Sequence, residues 1–224
     1  MATHLDLEEQ EQLDQLKSFW KRYGDLFTWV LILGLGGYAA WTGWNWYQRD
    51  QASKAGAMFD QLDKAAQASD VDQVGRVFVD MKQRYAGAAF TQQAGLAAAK
   101  LQVEKGKADA ALESLDWVGA SAAETEYRAI ARLRAAGLLL DQKRYEEALK
   151  QLDGADAPEF AALVADRRGD VLLAQGKKDE AKAAYQTAWQ AMASTVDYRR
   201  LIDAKLTALG AAPSDSVTAA ESSK

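Results

Sequence analysis

Residues 162–194 read ALVADRRGDVLLAQGKKDEAKAAYQTAWQAMAS, and this stretch decides the fold of most of the chain. It is rich in good helix formers, and a turn signal at Gly176 divides it into two segments. A glycine on the first helix leaves room for a tyrosine ring on the second. The stretch therefore predicts two closely packed antiparallel helices. Their packing and turn residues fall at offsets 0, 3, 7, 12, 16 and 19, namely Gly169, Leu172, Gly176, Ala181, Tyr185 and Ala188.

This spacing resembles the tetratricopeptide repeat, and weaker copies of it precede the stretch. One copy lies 33 residues earlier and keeps Ala136, Leu139, Tyr145, Ala148, Leu152 and Ala155. Another lies 37 residues before that and keeps Ala99, Gly106, Ala111, Leu115 and Val118. A degenerate helix pair at residues 53–68 and 71–84 is predicted to cap the array. The alternative is a set of generic antiparallel helical hairpins.

The whole region from residue 48 to residue 209 has the composition of helices joined by short turns. Alanine, leucine, lysine, glutamate and glutamine dominate it, and Pro158 is its only proline. No run of alternating β-branched residues is long enough for a strand. We therefore predict an all-α protein with a single N-terminal transmembrane helix, followed by an α-solenoid of tetratricopeptide-like helix pairs.

The transmembrane helix is predicted at residues 26–47, LFTWVLILGLGGYAAWTGWNWY, which carry no charge. A helix of this length crosses a hydrocarbon core of about 30 Å. Two alternatives are a buried helix of a soluble core and a cleaved signal peptide, although 25 largely polar residues precede the stretch. Rings at both ends suit the headgroup region and are predicted to lie at the membrane interface: Trp20, Tyr23, Trp44, Trp46 and Tyr47.

The segments at the two ends of the chain are predicted to lie outside the membrane and the repeat domain. Residues 1–25 carry an apolar row that indicates a juxtamembrane amphipathic helix, or alternatively a docking segment for a partner. Three basic residues flank the apolar run on each side, so charge leaves the orientation open. Residues 210–224 are small and polar, which predicts a disordered tail.

The sequence offers no catalytic, metal or cofactor site. There is no cysteine, and the single histidine, His4, precedes the predicted anchor. The net charge of −5 argues against binding to nucleic acid. The densest charge cluster is DRRGD at residues 166–170, which indicates ion pairing between helices or, alternatively, contact with a partner through Asp166, Arg167 and Asp170.

Stacked helix pairs form grooves that bind peptides or extended chains. A membrane anchor would raise the effective concentration of such a groove for membrane partners. Residues alone therefore predict a membrane-anchored, non-enzymatic binding module in contact with the lipid bilayer. Whether Trp117 and Trp189 belong to the core or to a contact surface stays open, with a buried ring as the default.

Three segments resemble the YfgM family of bacterial inner-membrane proteins, the ancillary SecYEG translocon subunits. They are LKSFWKRYGDL (16–26), LGLGG…GW (33–44) and, most specifically, VADRRGDVLLAQGKKDEAKAAY (164–185). The resemblance covers about residues 13–209 and implies a cytoplasmic N-terminus and a periplasmic repeat domain. It also implies association with the SecYEG translocon and with a membrane-anchored periplasmic prolyl isomerase chaperone. The implied role is to pass exported polypeptides to periplasmic chaperones, with no catalytic residues and no cofactor.

Two other functions stay open at this point. The chain could be a scaffold or assembly factor for a different envelope complex. It could also be a regulator that acts through its cytoplasmic N-terminal segment.

Overall fold

A computed structural model describes residues 7–213 of the chain. His4 and residues 214–224 of the predicted tail lie outside this range. The regular elements between residues 7 and 213 are all helical, which confirms the all-α prediction. They are α1 (Leu7–Gln67), α2 (Val71–Arg84), α3 (Ala89–Glu104), α4 (Ala108–Ser121), α5 (Thr125–Asp141), α6 (Tyr145–Asp153), the 3₁₀ helix Pro158–Phe160, α7 (Ala161–Ala174), α8 (Lys178–Ala191) and α9 (Tyr198–Ala208).

The chain divides between Gln51 and Ala52 into two compact units, and the first contains α1 up to Gln51. Every side chain from residue 26 to residue 44 is exposed. A helix of a soluble core would bury such side chains, so the exposure argues against that alternative. Within residues 7–213, α1 is the one helix that is long and apolar enough to cross a bilayer. It also includes residues 7–25, the described part of the segment for which the sequence predicts a juxtamembrane amphipathic helix.

The second unit is built of helix pairs that share one turn geometry. The first helix of each pair ends at a residue with positive φ: Ser69, Gly106, Lys143 and Gly176, at intervals of 37, 37 and 33 residues. In each case the next amide donates to the carbonyl five residues before it, at 2.7–3.0 Å. This is the hydrogen bond of a Schellman motif, and it satisfies a carbonyl that the helix end would leave without a partner. The backbone thus repeats with the period that the sequence predicts.

Helix α9 ends in the same way as the first helix of a pair. Gly210 has φ +70°, and the amide of Ala211 donates to the carbonyl of Leu206 at 2.9 Å. A non-helical segment, residues 192–197, separates α9 from α8. The sequence analysis missed this break, because MASTVD contains neither glycine nor proline to mark a turn.

Two glycines of the core allow neighbouring helices to approach closely. A Cβ on Gly169 would lie 2.4 Å from Cε1 of Tyr185, so this glycine is required by the ring. Gly95 of α3, which the sequence analysis did not single out, is as tightly placed, with Val118 Cγ2 2.4 Å from an added Cβ. Such contacts leave no room for a methyl group without movement of the neighbouring side chain.

Both tryptophans of the second unit pack against the core. The ring of Trp117 meets that of Phe78 edge to face, with 5.5 Å between the centroids, and contacts two of the core clusters. The ring of Trp189 packs against the last core cluster, and the guanidinium carbon of Arg199 lies 3.9 Å from its centroid. Both rings are thus half-buried against the core, rather than fully buried as the default expects.

Candidate functional site

The first helices of successive pairs lie side by side and form one layer of the second unit. Helix α5 contacts both α3 and α7, although a second helix separates each of them from it in sequence. A groove of about 680 Å³ follows this layer and reaches Tyr198 of α9. Its apolar lining includes Val103, Leu133, Leu138 and Leu163. The groove is therefore a product of stacking, because no single helix pair contains it.

Charged side chains also line the groove, and they nearly cancel. Lys100 and Glu104 lie one helical turn apart, with their charged atoms 3.9 Å from each other. Arg134 and Asp141, on the same face of α5, form no ion pair with any residue between 7 and 213. The other two charges in the lining are Asp166 and Arg167, and the guanidinium of Arg167 lies 3.6 Å from a carboxylate oxygen of Asp170. A groove of this kind has no net charge with which to select a strongly acidic or basic ligand.

A buried polar network ties α9 to α7 at the end of the groove. Asp166 is 2% exposed, and its Oδ1 accepts a hydrogen bond of 2.8 Å from Nζ of Lys205. The same Nζ donates to Oδ1 of Asp170 at 2.7 Å. The hydroxyl of Tyr198 donates to Oδ2 of Asp166, and that of Tyr185 to Oδ1 of Asp170, each at 2.8 Å. Both carboxylates thus have a cation and a hydroxyl as partners, as a buried charge requires.

The two tyrosines of this network act as fixed donors. Burial, reinforced by the hydrogen bond to Asp166, raises the pKa of Tyr198 to about 12. Burial and the hydrogen bond to Asp170 likewise hold the pKa of Tyr185 well above its ordinary value. Both hydroxyls therefore stay protonated around neutral pH, where they position the carboxylates. This arrangement holds α7, α8 and α9 together.

The structure separates the three residues of the predicted charge cluster. Arg167 lines the groove with a partly exposed side chain, whereas Asp166 is buried and its oxygens are occupied by Lys205 and Tyr198. Asp170 is partly buried in the same network. Of the two interpretations of the cluster, ion pairing between helices describes Asp166 and Asp170. Arg167 is the member that a ligand in the groove could reach.

The other predicted site residues lie in the core between α7, α8 and α9, at the turn between α7 and α8, and along α1. Leu172, Ala181, Tyr185 and Ala188 are buried in one core cluster between α7, α8 and α9. Gly176 has φ +81° and forms the turn between α7 and α8. The aromatic residues assigned to the membrane interface are all exposed along α1, with accessible fractions of 40–69%: Trp20, Tyr23, Trp44, Trp46 and Tyr47.

Sequence reasoning missed the partners of Asp166 and the apolar lining of the groove. Lys205 and Tyr198 lie 39 and 32 residues from Asp166. A signal for them exists, since Asp166 and Asp170 are four residues apart and share one face of α7. Two carboxylates on a face that must pack against another helix indicate a cation and hydroxyls on that helix.

Comparisons with known proteins give one consistent result. The family model of the tetratricopeptide repeat-like domain matches residues 17–211. A protein of Neisseria gonorrhoeae named ancillary SecYEG translocon subunit is 32% identical over 210 residues, which are 93% of this chain and 100% of that protein. Proteins of the same name from Haemophilus influenzae and Escherichia coli are 30% and 29% identical, over 82% and 80% of this chain and 90% and 85% of their own lengths.

Proposed function

This chain belongs to the tetratricopeptide repeat-like family of ancillary SecYEG translocon subunits, and from that membership we propose that it is a non-catalytic, membrane-anchored adaptor of the translocon. Its relatives carry the translocon in their names, and they match almost the whole chain. The family resemblance that residues 16–26, 33–44 and 164–185 predict is confirmed by these relatives.

The observation that carries the binding role is the groove along α3, α5 and α7. It is long, partly apolar and nearly neutral, and it is lined by side chains from three successive helix pairs and from α9. An extended polypeptide presents apolar side chains along a neutral main chain, so its chemistry suits such a surface. We assign exported polypeptides to this groove, from which they pass to periplasmic chaperones. A membrane-anchored prolyl isomerase chaperone is the partner that the family resemblance implies.

The proposed topology takes its orientation from the same resemblance, because the flanking charges do not decide it. Residues 1–25 are cytoplasmic, residues 26–47 cross the bacterial inner membrane, and residues 48–209 form the periplasmic repeat domain. Exposed rings at both ends of the apolar stretch support the placement of the bilayer. The exposed apolar surface between them is so large that either lipid or another membrane protein must cover it.

Site-specific photocrosslinking in cells tests the proposal. A photoreactive amino acid replaces Trp44 in the anchor, Val103 in the groove, or Gln186 on the outer helix α8 as the matched control. All three side chains are exposed in the structure. We expect adducts to the translocon from position 44 and adducts to exported polypeptides or their chaperones from position 103. Position 186 should give neither class above background.

The result can contradict the proposal in two ways. Adducts from both sites to one unrelated envelope complex would make the chain a scaffold for that complex. If deletion of residues 1–25 removed the cellular phenotype while the adducts at position 103 persisted, the function would instead be regulatory and would lie in the N-terminal segment.

A further inference from the structure

A glycine lies inside a helix of the groove without a packing reason. Gly137 is an interior residue of α5 and lines the groove between Arg134 and Asp141. Glycine lowers helix stability relative to alanine. A Cβ at this position would nevertheless fit, because its nearest neighbours are guanidinium atoms of Arg167 at 3.7–3.9 Å. Gly169 and Gly95, by contrast, cannot accept a methyl group. Packing within the protein therefore does not explain Gly137.

The guanidinium of Arg167 lies over this glycine, and most of its hydrogen-bonding capacity is unused. Within residues 7–213 it forms one ion pair, with a carboxylate oxygen of Asp170 at 3.6 Å, which is beyond hydrogen-bond range. The side chain is 38% exposed, and it lines the groove. An arginine carries five N–H donors in a planar fork and accepts nothing. The carbonyl groups of a polypeptide in the groove would supply acceptor oxygens for these donors.

We propose that Gly137 and Arg167 form a subsite that reads the main chain of an extended polypeptide. Because Gly137 has no side chain, the polypeptide backbone can approach α5 beside the guanidinium of Arg167, which donates to its carbonyl oxygens. The span between Arg134 and Asp141 is about 10 Å along the helix, which matches about three residues of extended chain. The near cancellation of charge along the groove fits a neutral, dipolar main chain better than a charged side chain. This inference rests on the proposed function, and it names the feature of an exported chain that the groove recognises.

The test measures stability and binding of the full chain in mild detergent. The binding probe is fluorescently labelled α-lactalbumin that has been reduced and carboxymethylated, so that it cannot fold. The Gly137→Ala variant should raise the thermal unfolding midpoint and at the same time weaken binding by on the order of tenfold. The matched control is Gly75→Ala in α2, where an added Cβ has open space and lies outside the groove. It should raise the midpoint similarly and leave the affinity unchanged.

An Arg167→Lys variant separates the planar fork from its charge. We expect it to weaken binding by about tenfold, because an ammonium group cannot donate to two carbonyl oxygens in the fixed geometry of a guanidinium. Native, folded α-lactalbumin should not compete with the unfolded probe, since its main chain is already hydrogen-bonded.

The possible failures are distinguishable. If the unchanged protein does not bind the unfolded probe, the proposed function fails and the subsite fails with it. If the unchanged protein binds and Gly137→Ala binds equally well, the groove binds polypeptides but the subsite is wrong. Full affinity in Arg167→Lys would also overturn the subsite, because charge alone would then account for the role of Arg167.

Discussion

The pair α5–α6 and the pair α7–α8 share one backbone geometry but are built from different residues. Both first helices end at a residue with positive φ, followed by the same hydrogen bond to the carbonyl five residues earlier. At the equivalent positions, α5 and α6 have Ala136 and Leu152, both buried in one core cluster, whereas in α7 and α8 the ring of Tyr185 lies against Gly169. The smaller residue, Gly169, is paired with the larger Tyr185, and the larger Ala136 with the smaller Leu152. The geometry of a pair thus depends on the combined volume of its two facing residues. Different residues can supply that volume, which explains why only α7–α8 matches the repeat spacing strongly.

A second difference concerns the face that each first helix turns to its neighbour. Leu133 of α5 lines the groove, whereas the position 33 residues later holds Asp166, which is buried against Lys205 of α9. An apolar side chain can pack against any apolar surface, but a buried carboxylate needs particular partners. The end of the array is therefore specified by a polar network, and its middle by packing.

The largest effect is expected where the two pairs differ in volume. Gly169→Ala should lower the free energy of unfolding by about 3 kcal/mol, because the new methyl group overlaps the buried ring of Tyr185. Adding Tyr185→Leu converts the contact to the alanine–leucine combination of α5–α6 and should restore part of that loss. Denaturant unfolding of the full chain in detergent, arranged as a double-mutant cycle, measures the coupling. If the two changes in the free energy of unfolding simply add, a smaller residue at position 185 does not compensate for the methyl group at position 169.

The next effect tests the polar end of the array. Lys205→Met should cost about 2 kcal/mol, since it leaves the buried charge of Asp166 without its cation, an effect reduced by the partial exposure of the lysine. The double variant Asp166→Leu with Lys205→Met imitates the apolar position of Leu133 and should be more stable than Lys205→Met alone. Denaturant unfolding of the full chain in detergent compares the stability of the variants. If the double variant is less stable than either single one, the network is needed for more than the partnering of its charges.

A smaller effect is expected at the turns. Lys143 and Gly176 occupy equivalent left-handed positions, at φ +61° and +81°. Lys143→Gly should stabilise the protein by about 1 kcal/mol, and Gly176→Lys should destabilise it by a similar amount, because a Cβ is unfavourable in this region. The control is Lys105→Gly at φ −93°, where glycine brings no conformational relief. Stabilisation by that control as well would mean that the left-handed conformation is not the cause.

The smallest effect is confined to alkaline pH. Since the pKa of Tyr198 is raised from its ordinary value near 10 to about 12, the fold favours the protonated phenol. The stability that Tyr198 contributes is complete below a pH of about 10 and is lost as the pH rises toward 12. Tyr198→Phe should lose less stability than the unchanged protein over that interval, as measured by thermal unfolding midpoints across a pH series. A parallel fall in both proteins would show that other groups cause the alkaline loss.

Much of this architecture follows from short-range patterns in the sequence. The length of the apolar run at residues 26–47 and the spacing from Gly169 to Ala188 are both read from residues close together in the chain. The break at residues 192–197 was not found in this way, because it carries neither glycine nor proline. Residues 141–144 do indicate a turn, but the left-handed conformation of Lys143 could not be predicted, because that segment contains no glycine.

The sequence by itself determined that this protein is helical, that it carries one exposed apolar stretch, and that its second unit repeats with a period of 33–37 residues. The tertiary structure alone decided that Lys205 and Tyr198 would meet Asp166, and that Gly137 and Arg167 would line one groove. The reason is physical. A helix fixes the spacing of neighbours along its own axis, whereas contacts between residues 30 or more positions apart depend on how whole helices dock.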